Sequence, residues 1–226
     1  MANIDQLVII ASQAIPVTDP FLIDRVAAIA EGNGCESVIC INKCDLVSGE
    51  DLAAIYQKAG FPTVQVSAET GEGLDRLREL IVGKVSAFTG NSGVGKIQHF
   101  ERPRAGDRPG DQRRQPEAGP GPSHHPPCGA HPPVLRGAGG GAPRACSSFE
   151  LDKGELCRKE ELAARFGSCP LYRKCQFLDC AMEGEGLRCA RAVKAGEIPK
   201  SRYDSYVRLY EQAKRDPGLG AGLNEG

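Results

Sequence analysis

Apolar and polar positions follow two different patterns in the first part of the chain. Continuous apolar runs lie at residues 7–10 and 38–41, and two further segments of strand length lie at residues 63–66 and 85–89. Between them, apolar residues recur every three or four positions, the period of a helix buried on one face, at Leu22, Ile23, Val26 and Ile29, at residues 52–56, and at Leu74, Leu77, Leu80 and Ile81. Strands that alternate with helices at this spacing predict an α/β fold, a parallel sheet covered by helices on both faces.

The composition changes sharply over residues 97–146, which hold ten of the 16 Pro, all four His, seven Arg and no Lys. Such a segment cannot bury enough apolar surface to offset its chain entropy, which favours a disordered linker. The alternative is a shifted reading frame, because Pro, Gly and Arg codons are GC-rich. In a shifted frame, residues 97–103 permit Ser-Ser-Ile-Leu-Asn-Ala-Leu, and His124 and His125 become two Thr. Ordinary composition resumes at Ser147.

This segment divides the chain into three predicted parts. Residues 1–96 form the sheet domain, residues 97–146 are the disordered or out-of-frame segment, and residues 147–226 form a small C-terminal domain. Within the last part we expect a short helix at residues 160–166, a Cys-rich loop at 169–189 and a helix at 201–214.

A glycine-rich motif follows the strand at residues 85–89. It consists of Gly90, Asn91, Ser92, Gly93, Val94, Gly95 and Lys96. Glycines at this spacing let backbone N–H groups point at phosphate oxygens, and Lys96 brings a positive charge to the β- and γ-phosphates. The alternative is a plain glycine-rich turn. The next residue in a phosphate loop is normally Ser or Thr, whose hydroxyl binds Mg²⁺, but Ile97 has none, and the shifted frame restores Ser.

Two polar motifs follow two earlier strands. They are Asn42-Lys43-Cys44-Asp45 and Ser67-Ala68-Glu69-Thr70-Gly71. The Asp45 carboxylate can accept hydrogen bonds from guanine N1–H and the 2-amino group, a pair that adenine does not offer, so it selects GTP over ATP. The backbone N–H of Ala68 is suited to guanine O6. The first motif alone also fits any strand-to-helix turn, but the three motifs together predict a site for GTP and GDP.

The order of these motifs is the reverse of that in an ordinary GTPase, since the base-reading motifs come first and the phosphate loop last. Ligands of parallel sheets bind at the carboxyl ends of the strands, so the site still assembles in space. The chain resembles the circularly permuted ribosome small-subunit-dependent GTPase A family (RsgA/YjeQ) in this permuted order. It also resembles that family in the opening Ala2-Asn3-Ile4-Asp5-Gln6, in Ser147-Ser148-Phe149, in the Cys loop and in Ser201-Arg202-Tyr203.

The resemblance implies an enzyme that hydrolyses GTP on the 30S ribosomal subunit during late maturation, contacts 16S ribosomal RNA and uses Mg²⁺, with Lys96 as its catalytic residue. The family carries an N-terminal OB-fold, and we expect it to be absent here. The family's Asp-Thr-Pro-Gly switch is replaced by Ala142-Pro143-Arg144-Ala145. The alternative function is therefore a non-hydrolysing guanine-nucleotide or RNA-binding remnant.

The ten Cys are interpreted as free thiols and one metal site, because no export signal precedes them. Cys175, Cys180 and Cys189 have compact spacing suited to tetrahedral Zn²⁺. The family completes its site with a His at the position of Met182, so Cys169 is the candidate for the fourth ligand. The alternative is that some of these residues are packing cysteines, as we expect for Cys35, Cys40, Cys44 and Cys157.

Charge and hydropathy limit the remaining function classes. The net charge of −1 argues against a uniformly basic nucleic-acid coat, although residues 188–215 hold eight Lys or Arg and three acidic residues. That excess fits contact with ribosomal RNA or an ordinary solvated helix face. No apolar stretch approaches the ~20 residues of a membrane span. We expect a soluble, cytoplasmic monomer that makes no membrane contact.

Overall fold

The computed structural model describes residues 4–95, 159–166 and 188–215. Over these residues the chain forms four strands and six helices. In chain order they are β1 (Gln6–Ser12), α1 (Pro20–Gly32), β2 (Glu36–Asn42), α2 (Glu50–Lys58), β3 (Thr63–Gln65), α3 (Leu74–Ile81), β4 (Ser86–Gly90), α4 (Lys159–Arg165), α5 (Arg188–Lys194) and α6 (Lys200–Arg215). No helix in the described ranges is long and apolar enough to cross a bilayer. The predicted segment at 97–146 lies outside them.

The four strands form one parallel sheet in the order β3-β2-β1-β4, which confirms the predicted α/β class. β1 is central, pairing with β2 from Gln6 opposite Glu36 and with β4 from Gln6 opposite Ser86. All seven residues of β1 are buried. Because every strand runs the same way, the turns that follow β1, β2, β3 and β4 all emerge at one edge of the sheet.

Successive side chains of β1 point to opposite faces of the sheet and enter two separate apolar clusters. Leu7 and Ile9 pack with α1 and α2 on one face, where Tyr56 is fully buried. Val8 and Ile10 pack with Leu77 of α3 on the other. This two-sided burial explains why β1 and β2 contain continuous apolar runs rather than alternating apolar and polar positions.

The described C-terminal helices pack on the outer side of α1. Their shared apolar cluster holds Phe21 and Ala28 from α1 together with Leu162, Ala163, Phe166, Cys189, Ala192, Ile198, Tyr206, Leu209, Tyr210 and Ala213. The predicted helices at 160–166 and 201–214 are confirmed as α4 and α6. The prediction of a loop up to Cys189 is wrong at its end, because Cys189 lies in α5. With only seven residues, this helix shows too little periodicity to be found from sequence.

A buried ion pair joins α6 to α1. Arg202 Nη1 donates to Asp24 Oδ1 at 2.5 Å, and its guanidinium lies 4.4 Å from the ring centre of Phe166 and 5.1 Å from that of Phe61. Burial raises the pKa of Asp24, an effect that the charge of Arg202 opposes. The sequence places Arg202 among the basic residues that could face RNA, but the structure places it in the interior.

Candidate nucleotide-binding site

The three predicted motifs meet at the carboxyl edge of the sheet. Asn42 ends β2, Ser67 follows β3, and Gly90 ends β4. β1 lies between the strands that carry Asn42 and Gly90, so the base-reading and phosphate motifs flank the loop that leaves β1. Because the strands are parallel, the three motifs lie close together at this edge although the permuted chain order separates them.

Asn42 connects all three motifs through its side chain. It is almost fully buried, with 1% of its surface exposed. Its Nδ2 donates to the carbonyl oxygen of Val94 at 2.7 Å, and its Oδ1 accepts from the backbone N–H of Ala68 at 3.0 Å. The predicted role of the Ala68 N–H is donation to guanine O6, whereas in this structure its partner is Asn42. That role stays a prediction.

Lys43 adopts a left-handed backbone conformation, with φ at 64°. This region is uncommon for a residue with a side chain, and such strain concentrates at functional sites. The turn directs the Lys43 side chain across the edge of the sheet, where Nζ donates to the carbonyl oxygen of Ile15 at 2.7 Å. The motif lysine thereby links the turn after β2 to the loop after β1.

The remaining residues of this motif differ in exposure. Cys44 is half-buried, with its N–H donating to Val66 O at 3.2 Å, and burial raises the pKa of its thiol. A protonated thiol is a poor nucleophile and a poor metal ligand, which agrees with the predicted packing role. Asp45 is exposed, so its carboxylate is accessible to a base at this edge.

The turn after β3 is held by the buried side chain of Ser67. Its Oγ accepts from the N–H of Thr70 at 3.1 Å, and its carbonyl oxygen accepts from the N–H of Gly71 at 2.8 Å. Gly73 ends the turn with φ at 73°, and a Cβ there would overlap the carbonyl oxygen of Gln65. Only glycine fits this position without a shift of the backbone.

The phosphate loop is anchored at both ends of its described part. Gly90 pairs with Ile10 of β1, and a Cβ on Gly90 would overlap the Ile10 carbonyl oxygen. Val94 is fully buried in the cluster beneath α3, and its carbonyl oxygen accepts from Asn42. Asn91 and Gly95 are half-buried, whereas Ser92 and Gly93 are exposed. Lys96, the predicted catalytic residue, lies just outside the described residues.

The predicted zinc ligands are described only in part. Cys189 is buried in α5, with 4% of its surface exposed, while Cys169, Cys175 and Cys180 lie outside the described residues. Within the described ranges, no group of three or more His, Cys, Asp and Glu is arranged to hold a metal ion. The interpretation of Cys35 and Cys40 as packing residues is confirmed, since both are buried. Cys157 also lies outside.

One element beside the site has no counterpart among the sequence motifs. The loop between β1 and α1, residues 12–18, contacts Lys43 through Ile15 and lies against Gly93 through Pro16. The sequence signal is weak: Ser12 and Thr18, which close the base of the loop, differ in no obvious way from ordinary loop residues.

Comparison with known proteins identifies relatives over most of the chain. Residues 1–98 match the family model described as RsgA GTPase. The chain is 31% identical to Small ribosomal subunit biogenesis GTPase RsgA of Alkaliphilus metalliredigens, an alignment that covers 96% of this chain and 74% of the relative. It is 34% identical to the protein of the same name from Gemmatimonas aurantiaca, covering 94% of this chain and 69% of the relative.

Two solved structures have the same fold. YjeQ from Thermotoga maritima superposes with a TM-score of 0.63 at 26% identity, covering 94% of this chain and 72% of that one. YloQ, described as a circularly permuted GTPase, superposes with a TM-score of 0.65 at 26% identity, covering 94% of this chain and 69% of the other. The permuted motif order is therefore shared with a solved structure.

Proposed function

The chain belongs to the RsgA GTPase family, and we propose that the site at the carboxyl edge of its sheet binds and hydrolyses GTP during maturation of the small ribosomal subunit. The relatives are named as GTPases of small-subunit biogenesis. The observation that carries the proposal is the Asn42 side chain, whose amide joins the base-reading turn at Ala68 to the phosphate loop at Val94.

Base selection is assigned to Asp45. Its exposed carboxylate follows the strained turn at Lys43, where it can accept from guanine N1–H and the 2-amino group. With an adenine base the carboxylate would lose both partners, which penalises ATP. Lys43 and Ser67 hold the two base-reading turns, and the Ala68 N–H is shared between Asn42 and guanine O6.

Phosphate binding is assigned to the loop at residues 90–95 and to Lys96. Backbone N–H groups of the loop face the phosphate oxygens, and the Lys96 ammonium neutralises the negative charge that develops while the phosphoryl group is transferred to water. The family also implies Mg²⁺, which adds positive charge at the phosphates. The side chain of Ile97 has no oxygen that could bind that ion, so the donor set is incomplete at this position.

Ile97 also favours a second candidate function, guanine-nucleotide binding without turnover. A GTP turnover assay separates the two candidates. We expect phosphate release from GTP to exceed release from ATP and to rise when small ribosomal subunits are added. GDP binding with no turnover under either condition would favour the second candidate. An Ile97→Thr variant that gains Mg²⁺-dependent turnover would identify the missing hydroxyl as the cause.

We also propose that the C-terminal part binds Zn²⁺ through Cys175, Cys180, Cys189 and Cys169. The spacing supports it, as does the burial of Cys189 against an apolar cluster, which would shield a thiolate site from water. Metal analysis of the purified protein should give about one Zn²⁺ per chain. A Cys189→Ala variant should lose it, whereas Cys35→Ala, which changes a buried packing cysteine, should keep it.

The proposed partners are the 30S subunit and its 16S ribosomal RNA. We propose that the chain binds them as a cytoplasmic monomer. Exposed basic residues of α5 and α6 support an RNA contact, among them Arg191, Lys194 and Lys200. Arg202 is excluded from this surface because its guanidinium is buried. Sedimentation with small subunits at rising salt concentrations would test the contact, since an electrostatic contact weakens steeply with salt.

A further inference from the structure

The loop at residues 12–18 lies between the two halves of the nucleotide site. It leaves the central strand β1, with Asn42 at the end of β2 on one side and Gly90 at the end of β4 on the other. The carbonyl oxygen of Ile15 accepts from Lys43 Nζ at 2.7 Å. The Pro16 ring lies against the phosphate loop, since a Cβ on Gly93 would begin 3.3 Å from Pro16 Cγ.

The base of this loop is fixed by buried hydrogen bonds. The N–H of Ser12 donates to Thr18 Oγ1 at 3.0 Å, and the N–H of Thr18 donates to Ser12 O at 2.8 Å. Ser12 Oγ donates to the carbonyl oxygen of Ala14 and accepts from its N–H, at 3.0 and 3.1 Å. Ser12 and Thr18 are only 0% and 5% exposed. Bonds shielded from water in this way hold a loop in one conformation.

We propose that Thr18 is a positioning residue of the nucleotide site. Its hydroxyl fixes the loop whose Ile15 carbonyl holds the Lys43 ammonium and whose Pro16 ring supports Gly93. Without the hydroxyl, the buried N–H of Ser12 loses its acceptor and the loop loosens. The base-reading turn and the phosphate loop then lose a common support, and a bound guanine nucleotide leaves faster. This inference rests on the proposed guanine-nucleotide site.

The test is the rate at which fluorescently labelled GDP leaves the full-length protein when unlabelled GDP is added in excess. Thr18→Val should accelerate dissociation about tenfold, whereas Thr18→Ser, which keeps the hydroxyl, should stay within about twofold of the parent. The matched control is Thr63→Val. The hydroxyl of Thr63 donates to Phe61 O at 2.9 Å at the amino end of β3, the opposite edge of the sheet, so the rate should not change.

A double variant tests the route through Lys43. If the loop acts by holding the Lys43 ammonium, adding Thr18→Val to the Lys43→Met protein should raise its GDP dissociation rate less than about twofold. Full additivity of the two changes would overturn this route. Urea unfolding without nucleotide establishes that each variant is folded. Should Thr18→Val fail to fold, Ser12→Ala loosens the same loop while keeping its backbone bonds, and it should also accelerate dissociation.

The outcomes separate the two proposals. A folded Thr18→Val protein that releases GDP at the parent rate overturns the role of Thr18 and leaves the guanine-nucleotide site standing. Equal acceleration by Thr18→Val and Thr63→Val also overturns it, because the effect would then reflect general loss of stability. A parent protein that binds no guanine nucleotide overturns the proposed function and this inference with it.

Discussion

Arg202 in α6 and Asp24 in α1 form an ion pair at 2.5 Å, with 4% and 0% of their side-chain surfaces exposed. The two residues are 178 positions apart in the chain. Arg202 also lies over the rings of Phe166 and Phe61, so its charge is surrounded by aromatic faces. The pair fixes where the last described helix packs on the sheet domain.

Loss of the Arg202 charge should destabilise the fold strongly. Arg202→Met leaves the Asp24 carboxylate buried without its counterion, which costs about 3–5 kcal/mol of unfolding free energy. The matched control is Arg76→Met, which breaks an exposed pair with Glu79 and should cost at most about 1 kcal/mol. Urea unfolding measures both. Similar losses of unfolding free energy in the two variants would show that the buried pair stabilises the fold no more than the exposed one.

Removal of the Asn42 amide should weaken nucleotide binding. Asn42→Ala leaves the Ala68 N–H and the Val94 carbonyl without their partner, so the base-reading turn and the phosphate loop are no longer connected. We expect the Kd for GDP to rise at least about tenfold. Asn33→Ala is the control, because Asn33 Nδ2 donates to Ile29 O at the far end of α1. Isothermal titration measures both, and an equal Kd for the two variants would contradict the connecting role.

Asp45 should determine the preference for the guanine 2-amino group. Inosine diphosphate lacks that group, so the parent protein should bind it about tenfold or more weakly than GDP. In Asp45→Asn one of the two acceptor oxygens is replaced by an NH₂ donor, which cannot accept from guanine N1–H or the 2-amino group, and the ratio of the two Kd values should approach one. Competition against labelled GDP gives this ratio. A variant that keeps the parent's ratio would assign base selection to another residue.

Gly73 and Gly34 provide a matched test of the turn after β3. Their φ angles are 73° and 71°, but a Cβ on Gly73 would overlap Gln65 O, whereas Gly34 has open space around it. Gly34→Ala should therefore cost only the left-handed strain, about 1–2 kcal/mol. Gly73→Ala should cost clearly more and should also weaken GDP binding. Equal losses of unfolding free energy would show that the turn can shift freely.

The parts of the fold that the sequence predicts are those governed by local pattern. The strands at 7–10 and 38–41 lie within β1 and β2, because a strand buried on both faces must be apolar at every position. The meeting of the motifs at Asn42 and Gly90 was also predictable, since carboxyl ends of parallel strands share an edge. These inferences need no knowledge of distant contacts.

The remaining features depend on residues that are distant in the chain. Arg202 looks like a surface residue until the facing Asp24 is known, and α5 is too short for its periodicity to stand out. The bonds of Asn42 to Ala68 and Val94 span 26 and 52 positions. The loop at residues 12–18 has no periodic apolar pattern. Its proposed role follows only from the base-reading turn and the phosphate loop on either side of it.

Competition binding distinguishes a guanine-selecting site from a site that accepts any purine nucleotide. The full-length protein is loaded with labelled GDP, and unlabelled GDP and ADP are titrated in separate experiments. A guanine-selecting site predicts that ADP displaces the label only at concentrations at least about 100-fold higher than GDP does, because Asp45 would be left without donors. Equal displacement by the two nucleotides from a folded protein would contradict it.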